Sequence, residues 1–219
     1  MPTIFNYSSS SDAWKAFYLQ LISPRKVRNI VTVSGRGARG RFPSYKAPKG
    51  AKFESLVEEA LLRVLEVSTL VKTFETQPCV FQLPGENALR YTPDARAEIC
   101  DQQAFFEAKH DGFRKSKRGL ARLKEVCARM RDKEVRLAVV LESELRDRDI
   151  QQALAKLLRD RPAPGRYRKG LDTTEWDPFG REKPDAETLR RWQEAQRECD
   201  ALLRRIMGRN PDDLFVESN

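Results

Sequence analysis

Apolar residues near the middle of the chain recur every three to four positions. From 53 to 67 they form a broad stripe, which predicts an amphipathic helix with a buried face. Glu54 and Glu58 lie on one edge of that stripe, whereas Glu59 lies on the opposite side of the helix. The apolar stripe consists of Phe53, Leu56, Val57, Ala60, Leu61, Val64 and Leu65.

The pattern then changes to one that is typical of strands. Residues 73–83 are rich in aromatic and β-branched residues and end at a Pro-Gly step, which predicts a first strand and a turn. Residues 89–99 predict a second strand, in which Pro93 confines regular pairing to the residues that follow it. Residues 103–109 predict a third strand, with Phe105, Glu107 and Lys109 on one face and three apolar residues on the other.

A second amphipathic helix is predicted from 114 to 131, and the continuous apolar run 135–141 predicts a strand that is buried on both faces. The order is then helix, three strands, helix and strand. A strand that returns after a helix lies beside the earlier strands, so we expect an α/β fold with a mixed central sheet flanked by helices. This αβββαβ core extends from about 53 to 142.

Further elements are predicted on either side of the core. Residues 11–21 and 146–161 have helical spacing, and 161–185 is rich in proline and glycine, as a linker would be. A C-terminal helix carries an apolar stripe and ends at Gly208, and it must dock on the core or on another protein. Its stripe consists of Leu189, Trp192, Ala195, Cys199, Leu202 and Ile206. The expected organisation is an N-terminal helix and basic arm (1–52), a core domain (53–160) and a linker with a C-terminal helix and acidic tail (161–219).

Composition excludes several classes of protein. A third of the 219 residues are charged, and no apolar run approaches the roughly 18–20 residues of a membrane-spanning helix, so we expect a cytoplasmic protein. The four cysteines are more than twenty residues apart and the chain has one histidine, which argues against a zinc site or a disulfide framework. A metal ion would have to be bound by oxygen ligands.

Positive charge is concentrated in one segment. Between Arg25 and Lys52 there are nine basic residues and no acidic one, and this segment accounts for the whole net charge of +9. Glycines and prolines interrupt it, so it predicts a flexible arm suited to a phosphate backbone. A second basic cluster opens the helix predicted at 114, where a solvated helix face is an equally good interpretation. We expect double-stranded DNA to contact Arg36, Arg39, Arg41, Lys46, Lys49, Lys52, Arg114, Lys115, Lys117 and Arg118.

Candidate chemistry lies in the second and third strands. A hairpin between them would bring Asp94 opposite the end of the third strand that carries Glu107 and Lys109. Two adjacent carboxylates suit Mg²⁺, with Mn²⁺ as a substitute, and leave positions for a substrate phosphate. Lys109 could then orient a water or stabilise developing charge, and Glu58 could complete the metal shell. The alternative is an ordinary exposed set of cross-strand charges.

The whole pattern resembles the PD-(D/E)xK nuclease superfamily, whose motif matches Glu58, Pro93-Asp94 and Glu107-Ala108-Lys109. A closer resemblance, over residues 25–109, is to the N-terminal catalytic domain of TnsA, the endonuclease subunit of heteromeric cut-and-paste transposons. The segments that carry it are RKVRN at 25–29, RFPSYK at 41–46, FESLVE at 53–58, TFETQP at 73–78, RYTPD at 90–94 and EAK at 107–109.

The resemblance implies a restriction-endonuclease-like core in which Glu58 is the helical acid, Asp94 and Glu107 bind the metal and Lys109 is the catalytic lysine. Glu54 and Gln77 are possible supporting residues, Gln77 as one that orients a water. It also implies Mg²⁺-dependent hydrolysis at transposon ends in a bacterial cell, at the nucleoid, with a DDE transposase of the TnsB type and an ATPase of the TnsC type. The C-terminal part is too short for the large second DNA-binding domain of a full-length TnsA.

Two other interpretations remain open from the sequence. One is a PD-(D/E)xK nuclease of a restriction or repair system, which would cut DNA without a transposase. The other is a DNA-binding subunit that performs no chemistry. Asp94, Glu107 and Lys109 argue against the latter, because a protein without activity would be free to lose them.

Overall fold

The structure, a computed structural model, describes residues 38–85, 88–145, 148–160 and 185–210, together with 213 and 215. The strands are β1 Gly40–Phe42, β2 Ala51–Phe53, β3 Val71–Thr76, β4 Phe81–Leu83, β5 Leu89–Tyr91, β6 Ala95–Ile99, β7 Gln102–Lys109 and β8 Leu137–Leu141. The α-helices are α1 Leu56–Val67, α2 Lys117–Arg131, α3 Glu142–Leu145, α4 Arg148–Asp160 and α5 Ala186–Gly208, and a 3₁₀ helix spans Asp111–Lys115.

A mixed four-stranded sheet forms the centre of the fold, in the order β3-β6-β7-β8. Strands β3, β6 and β7 pair antiparallel, and β8 lies parallel to β7 after the α2 connection. All five residues of β8 are buried, as the apolar run predicted. The prediction of an α/β fold with a mixed central sheet flanked by helices is therefore confirmed.

The two faces of this sheet carry different layers. One face of β6 and β7 is largely alanine, with Ala95, Ala97, Ala104 and Ala108 beside Phe106, and it packs against α1, α4 and α5. Small side chains allow a helix to lie close to the sheet. The opposite face carries α2 and a separate two-stranded sheet of β4 and β5. Strand β7 thus presents its faces as the sequence predicted.

Helix α1 begins later than the apolar stripe indicated. Ser55 is its N-cap and its hydroxyl accepts the Glu58 N–H at 3.1 Å, because the first turn leaves backbone donors without helical partners. Phe53 belongs to β2 instead, where its ring covers Gly40 of β1 so closely that a Cβ there would lie 2.6 Å from the ring. Leu56, expected on the buried face, is 49% exposed, whereas the next residue, Val57, is buried.

The strands predicted at 73–83 and 89–99 are each divided in two. The first breaks at Gln77, whose φ of 45° is a left-handed conformation that extended pairing does not accommodate, and Pro78 follows it. The second breaks around Pro93, but the expectation that regular pairing is confined to the residues after the proline is wrong, because Leu89–Tyr91 pair with β4. The pieces β4 and β5 pair with each other in a hairpin outside the central sheet.

The described part of the predicted basic arm is anchored rather than free. Lys46 is only 5% exposed, and its ammonium donates to the carbonyl oxygens of Ser68 and, at 3.4 Å, of Leu65 at the end of α1. The Glu66 carboxylate accepts the Tyr45 backbone N–H at 2.8 Å and the Ser44 hydroxyl. The helix C-terminus attracts a cation, so the loop between β1 and β2 is fixed against α1.

Helix α5 docks on the core rather than standing apart from it. Trp192 and Leu203 are buried in the same hydrophobic cluster as α1 and α4. Asp200, also buried, accepts the Ser68 hydroxyl at 2.6 Å and both the backbone N–H, at 2.8 Å, and the hydroxyl of Thr69. Leu189, which was predicted in the buried stripe, is 42% exposed because the first turns of α5 extend beyond the core.

Several expectations lie outside the described residues. These are the helix at 11–21, Arg36, the linker at 161–184 and residues 211, 212, 214 and 216–219 of the acidic tail. Within the described ranges, no helix is long and apolar enough to cross a membrane.

Candidate active site

Three polar side chains from neighbouring strands meet at one end of the central sheet. Asp94 precedes β6, and its backbone N–H donates to the Phe106 carbonyl at 3.0 Å, which continues the pairing with β7. The Asp94 side chain accepts the Ala108 N–H at 2.8 Å. Asp94 is therefore attached to β7 on both sides of Glu107, and Lys109 ends the same strand.

Glu107 is 6% exposed, and both of its carboxylate oxygens have partners. Oε1 forms an ion pair with the Lys109 ammonium, and Oε2 accepts the Tyr91 hydroxyl at 2.6 Å. Burial raises the pKa of Tyr91 well above its usual value, and the charges of Glu107 and Asp94 raise it further. The Tyr91 hydroxyl consequently keeps its proton and acts as a donor.

Glu58 reaches this group from α1 but is also fixed at the helix N-terminus. Its carboxylate accepts the Glu54 N–H at 2.8 Å and the Ser55 hydroxyl at 3.0 Å, a variant of the capping box. In the described part of the chain, no three His, Cys, Asp or Glu side chains are arranged to hold a metal ion. The expectation that Glu58 completes the metal shell stays a prediction, and in this arrangement its oxygens are hydrogen-bonded at the start of α1.

The carboxylates nevertheless influence one another. The pKa of Asp94 is raised well above its usual value, first because protein atoms enclose its carboxyl group and then because Glu107 and Glu58 repel its charge. Burial likewise raises the pKa of Glu58, although hydrogen bonds from Glu54 and Ser55 oppose the change. Like charges held close together disfavour ionisation. The site thus concentrates negative charge that a cation would relieve.

Lys109 supplies the one positive charge within this group. Burial lowers the pKa of Lys109, but the charges of Glu107 and Asp94 outweigh that effect and the net pKa is raised. Lys109 is therefore an ammonium ion at neutral pH. The ring of Phe113, on the 3₁₀ helix, lies 5.7 Å from the ammonium, within range of a cation–π contact.

The two supporting residues expected from the sequence contact the site through their backbones. The Gln77 N–H donates to the Asp94 carbonyl at 2.9 Å, so the left-handed turn at Gln77 helps to fix the strand that carries Asp94. The Glu54 N–H fixes Glu58, and the Glu54 charge also raises the pKa of Glu58.

The basic residues expected at DNA divide into three groups. Arg114, Lys115, Lys117 and Arg118 are all exposed, and they begin five residues after Lys109, along the 3₁₀ helix and the first turn of α2. In the segment 39–52, Arg41 and Lys49 are exposed, whereas Arg39 and Lys52 are half-buried. Lys49 forms an ion pair with Glu75 at 2.8 Å. Lys46 is buried, so the prediction that it contacts DNA is wrong. Its ammonium donates a hydrogen bond to the Ser68 carbonyl at the end of α1.

The donor set fits a hard divalent cation. Mg²⁺ keeps several waters and is commonly held by one or two carboxylates together with substrate phosphate. Asp94 and Glu107 provide two carboxylates whose mutual repulsion such an ion would relieve.

Two residues of this region were not identified from the sequence. Tyr91 was not identified because the predicted strand 89–99 is divided in two, and its first part forms a hairpin with β4 that brings Tyr91 to Glu107. A periodic pattern of apolar residues does not predict such a hairpin. His110 was also not identified. Its Nδ1 lies 3.1 Å from Oε2 of Glu142, which follows a different strand. Parallel pairing of β7 and β8 brings these two strand ends together, so the predicted pairing of the strands was the signal that could have linked His110 to Glu142.

The fold and this cluster define an α/β protein with buried carboxylates and a lysine at the end of a mixed sheet. A scan of the sequence against models of protein families finds no match, and a search among curated proteins finds none either.

Proposed function

We propose that the chain is a Mg²⁺-dependent DNA endonuclease of the TnsA type, which hydrolyses a phosphodiester at transposon ends. The observation that carries the proposal is the convergence of Asp94, Glu107 and Lys109 at the ends of two paired strands, where main-chain hydrogen bonds fix their positions. A chance set of exposed surface charges would not be buried and mutually repelling in this way.

The order of elements supports the same proposal. With the hairpin of β4 and β5 taken as an insertion, the chain runs α1, β3, β6, β7, α2, β8, which is the αβββαβ order of the PD-(D/E)xK core. Asp94 immediately precedes β6, the Glu107-Ala108-Lys109 segment ends β7, and Glu58 is on the first helix, which supports the match to that superfamily's motif.

Asp94 and Glu107 would hold the Mg²⁺ ion, which when bound polarises the phosphodiester and lowers the pKa of a water. Lys109 remains protonated, so its role is to stabilise charge that develops on the phosphate or to orient the attacking water. It does not act as a general base. Glu58 adds negative charge behind Asp94 and favours a cation in the site.

The surface around the cluster suits a duplex. Exposed basic residues lie on the segment 114–118, which begins five residues after Lys109 at the end of β7. Contacts of this kind with phosphates are independent of base sequence and weaken as salt displaces them. Recognition of a transposon end would therefore depend on partners, which we propose to be a TnsB-type transposase and a TnsC-type ATPase.

The test is a cleavage assay with labelled transposon-end DNA, with and without a transposase of the TnsB type. Wild-type protein should cut the strand that is not joined to target DNA when Mg²⁺ or Mn²⁺ is present, and EDTA should abolish cutting. Asp94→Asn and Lys109→Met should abolish cutting but retain salt-sensitive DNA binding. Lys72→Met is the matched control, since Lys72 forms an exposed ion pair with Glu98 on the same sheet.

Each alternative interpretation has its own result in this assay. Cutting by the protein alone would favour a restriction or repair nuclease. DNA binding without cutting, under every partner and metal condition, would favour a DNA-binding subunit. Cutting by Asp94→Asn at the wild-type rate would refute the proposed site.

A further inference from the structure

Tyr91 connects the small hairpin of β4 and β5 to the carboxylate cluster. It belongs to the hydrophobic cluster that also contains Phe81, its cross-strand neighbour, and apolar residues of α2, and it is 8% exposed. Its hydroxyl reaches out of this apolar layer to Glu107 Oε2 at 2.6 Å. The interaction joins two segments that are sixteen positions apart in the chain.

The hydroxyl is not needed for packing. A phenylalanine would fill the same apolar layer, whereas a buried hydroxyl is unfavourable unless it has a hydrogen-bond partner. Glu107 is that partner, and a short bond to a charged oxygen is among the stronger hydrogen bonds in proteins. The hydroxyl of Tyr91 is therefore explained by its hydrogen bond to Glu107 and not by packing.

The bond restricts the orientation of the Glu107 carboxylate. Tyr91 fixes Oε2, so the carboxylate plane is set and Oε1 is directed toward Lys109. Without the hydroxyl, the carboxylate could rotate about its last side-chain bond, because Lys109 is on a flexible stem and can follow it. A ligand held by a fixed carboxylate loses less freedom on binding than one held by a mobile carboxylate.

We propose that Tyr91 is a positioning residue for the proposed nuclease, which orients Glu107 for a divalent cation through its hydroxyl. This inference rests on the proposed function. It assigns to the hairpin of β4 and β5, which the αβββαβ core does not require, the task of supporting the metal-binding acid. Groups that hold metal ligands in place typically contribute about 10- to 100-fold to metal affinity or activity.

The experiment measures Mn²⁺ binding to the full-length protein by electron paramagnetic resonance, in the absence of DNA. Tyr91→Phe keeps the ring and removes only the hydroxyl. Tyr45→Phe is the matched control, because it makes the same deletion on the loop between β1 and β2, which is bound to Glu66 at the opposite end of α1 from Glu58. Asp94→Asn is the reference for loss of the site. Circular dichroism and thermal unfolding establish that each variant is folded.

The expected result is that Tyr91→Phe weakens Mn²⁺ binding by about 10- to 100-fold, that Tyr45→Phe matches wild type, and that Asp94→Asn abolishes binding. In the cleavage assay, Tyr91→Phe should need more Mn²⁺ for half-maximal activity, and saturating Mn²⁺ should restore most of kcat. A purely structural role would instead lower the melting temperature and leave the Mn²⁺ affinity unchanged.

Two outcomes would contradict the inference and can be told apart. If Tyr91→Phe binds Mn²⁺ as wild type does while Asp94→Asn does not, the positioning role is refuted and the proposed metal site stands. If Asp94→Asn and wild type have the same affinity, the metal site itself is refuted, and the role of Tyr91 with it.

Discussion

Lys109 and Asp94 should have opposite effects on stability although both are required for the proposed cleavage. Lys109→Met removes the ammonium that is paired with Glu107 and leaves a buried carboxylate beside Asp94 and Glu58 without its cation. Asp94→Asn removes one of the repelling charges, and its amide oxygen can still accept the Ala108 N–H. The first change should destabilise the metal-free protein, and the second should stabilise it.

The size of the Lys109 effect follows from burial. Breaking a buried ion pair by removing one partner costs about 3–5 kcal/mol. The Glu107 side chain is 8% exposed and that of Lys109 is 28% exposed, so solvent screens part of the loss and about 2–4 kcal/mol is expected. The control Lys72→Met removes the pair with Glu98, whose side chains are 56% and 33% exposed, and should cost less than about 1 kcal/mol.

The assay is urea unfolding in EDTA at about pH 8, where all the carboxylates of the unfolded chain are ionised. With a slope of about 2 kcal/mol per molar urea, Lys109→Met should lower the midpoint by about 1–2 M. Equal midpoints for Lys109→Met and Lys72→Met would refute the reasoning, because the charge cluster would then contribute nothing to stability.

The predicted direction of the Asp94→Asn effect on stability can be checked by measuring the free energy of unfolding at several pH values. Its pKa is higher in the folded than in the unfolded protein, so the folded state binds the proton more tightly. This contribution makes stability fall as pH rises from the unfolded pKa through the folded one, and the full penalty is present above it. Asp94→Asn should remove that part of the slope above about pH 4, where Asp side chains of the unfolded chain ionise. A variant that is less stable than wild type at pH 8 in EDTA would contradict this expectation.

Three further outcomes are expected. Lys115→Ala should weaken DNA binding and reduce the slope of log affinity against log salt by about 1, as measured by fluorescence anisotropy at several salt concentrations. Lys46→Met should leave that slope unchanged but lower the unfolding free energy by about 1.5–3 kcal/mol, since a charge-assisted hydrogen bond to the Ser68 carbonyl is lost. Asp200→Ala should lower the unfolding free energy by about 3 kcal/mol, because the hydroxyls and N–H of Ser68 and Thr69 lose a buried acceptor, and faster proteolysis within α5 should report its release.

The spacing of apolar residues predicted best those features that depend on a single strand or helix. The alternation along 103–109 assigned Glu107 and Phe105 to one face of β7, and the structure has them there, because successive side chains of a strand point in opposite directions. The order of helices and strands was enough to predict the mixed sheet. The proximity of Asp94 to Glu107 followed from a hairpin whose register the short turn at Cys100 and Asp101 fixes.

Features that depend on distant parts of the chain were not accessible in this way. Lys46 lies in a run of basic residues that predicts exposure, and only the arrival of the end of α1, about twenty residues later, buries it. Gln77 adopts a left-handed conformation that is uncommon for glutamine, so the break between β3 and β4 had no local signal. Glu58 was predicted as a metal ligand, yet in the structure its oxygens accept the Glu54 backbone N–H and the Ser55 hydroxyl.

The alanine face of β6 and β7 has a consequence for how activity could change over many generations. Ala97 and Ala104 are buried in the hydrophobic cluster that α1 shares with the sheet, and their small side chains allow α1, which carries Glu58, to lie close to the strands. Because the interior is close-packed, one added methylene on this face would move the helix and weaken the electrostatic coupling between the two acids. Variation behind the sheet can therefore tune the affinity of the site for cations while every residue of the cluster stays the same.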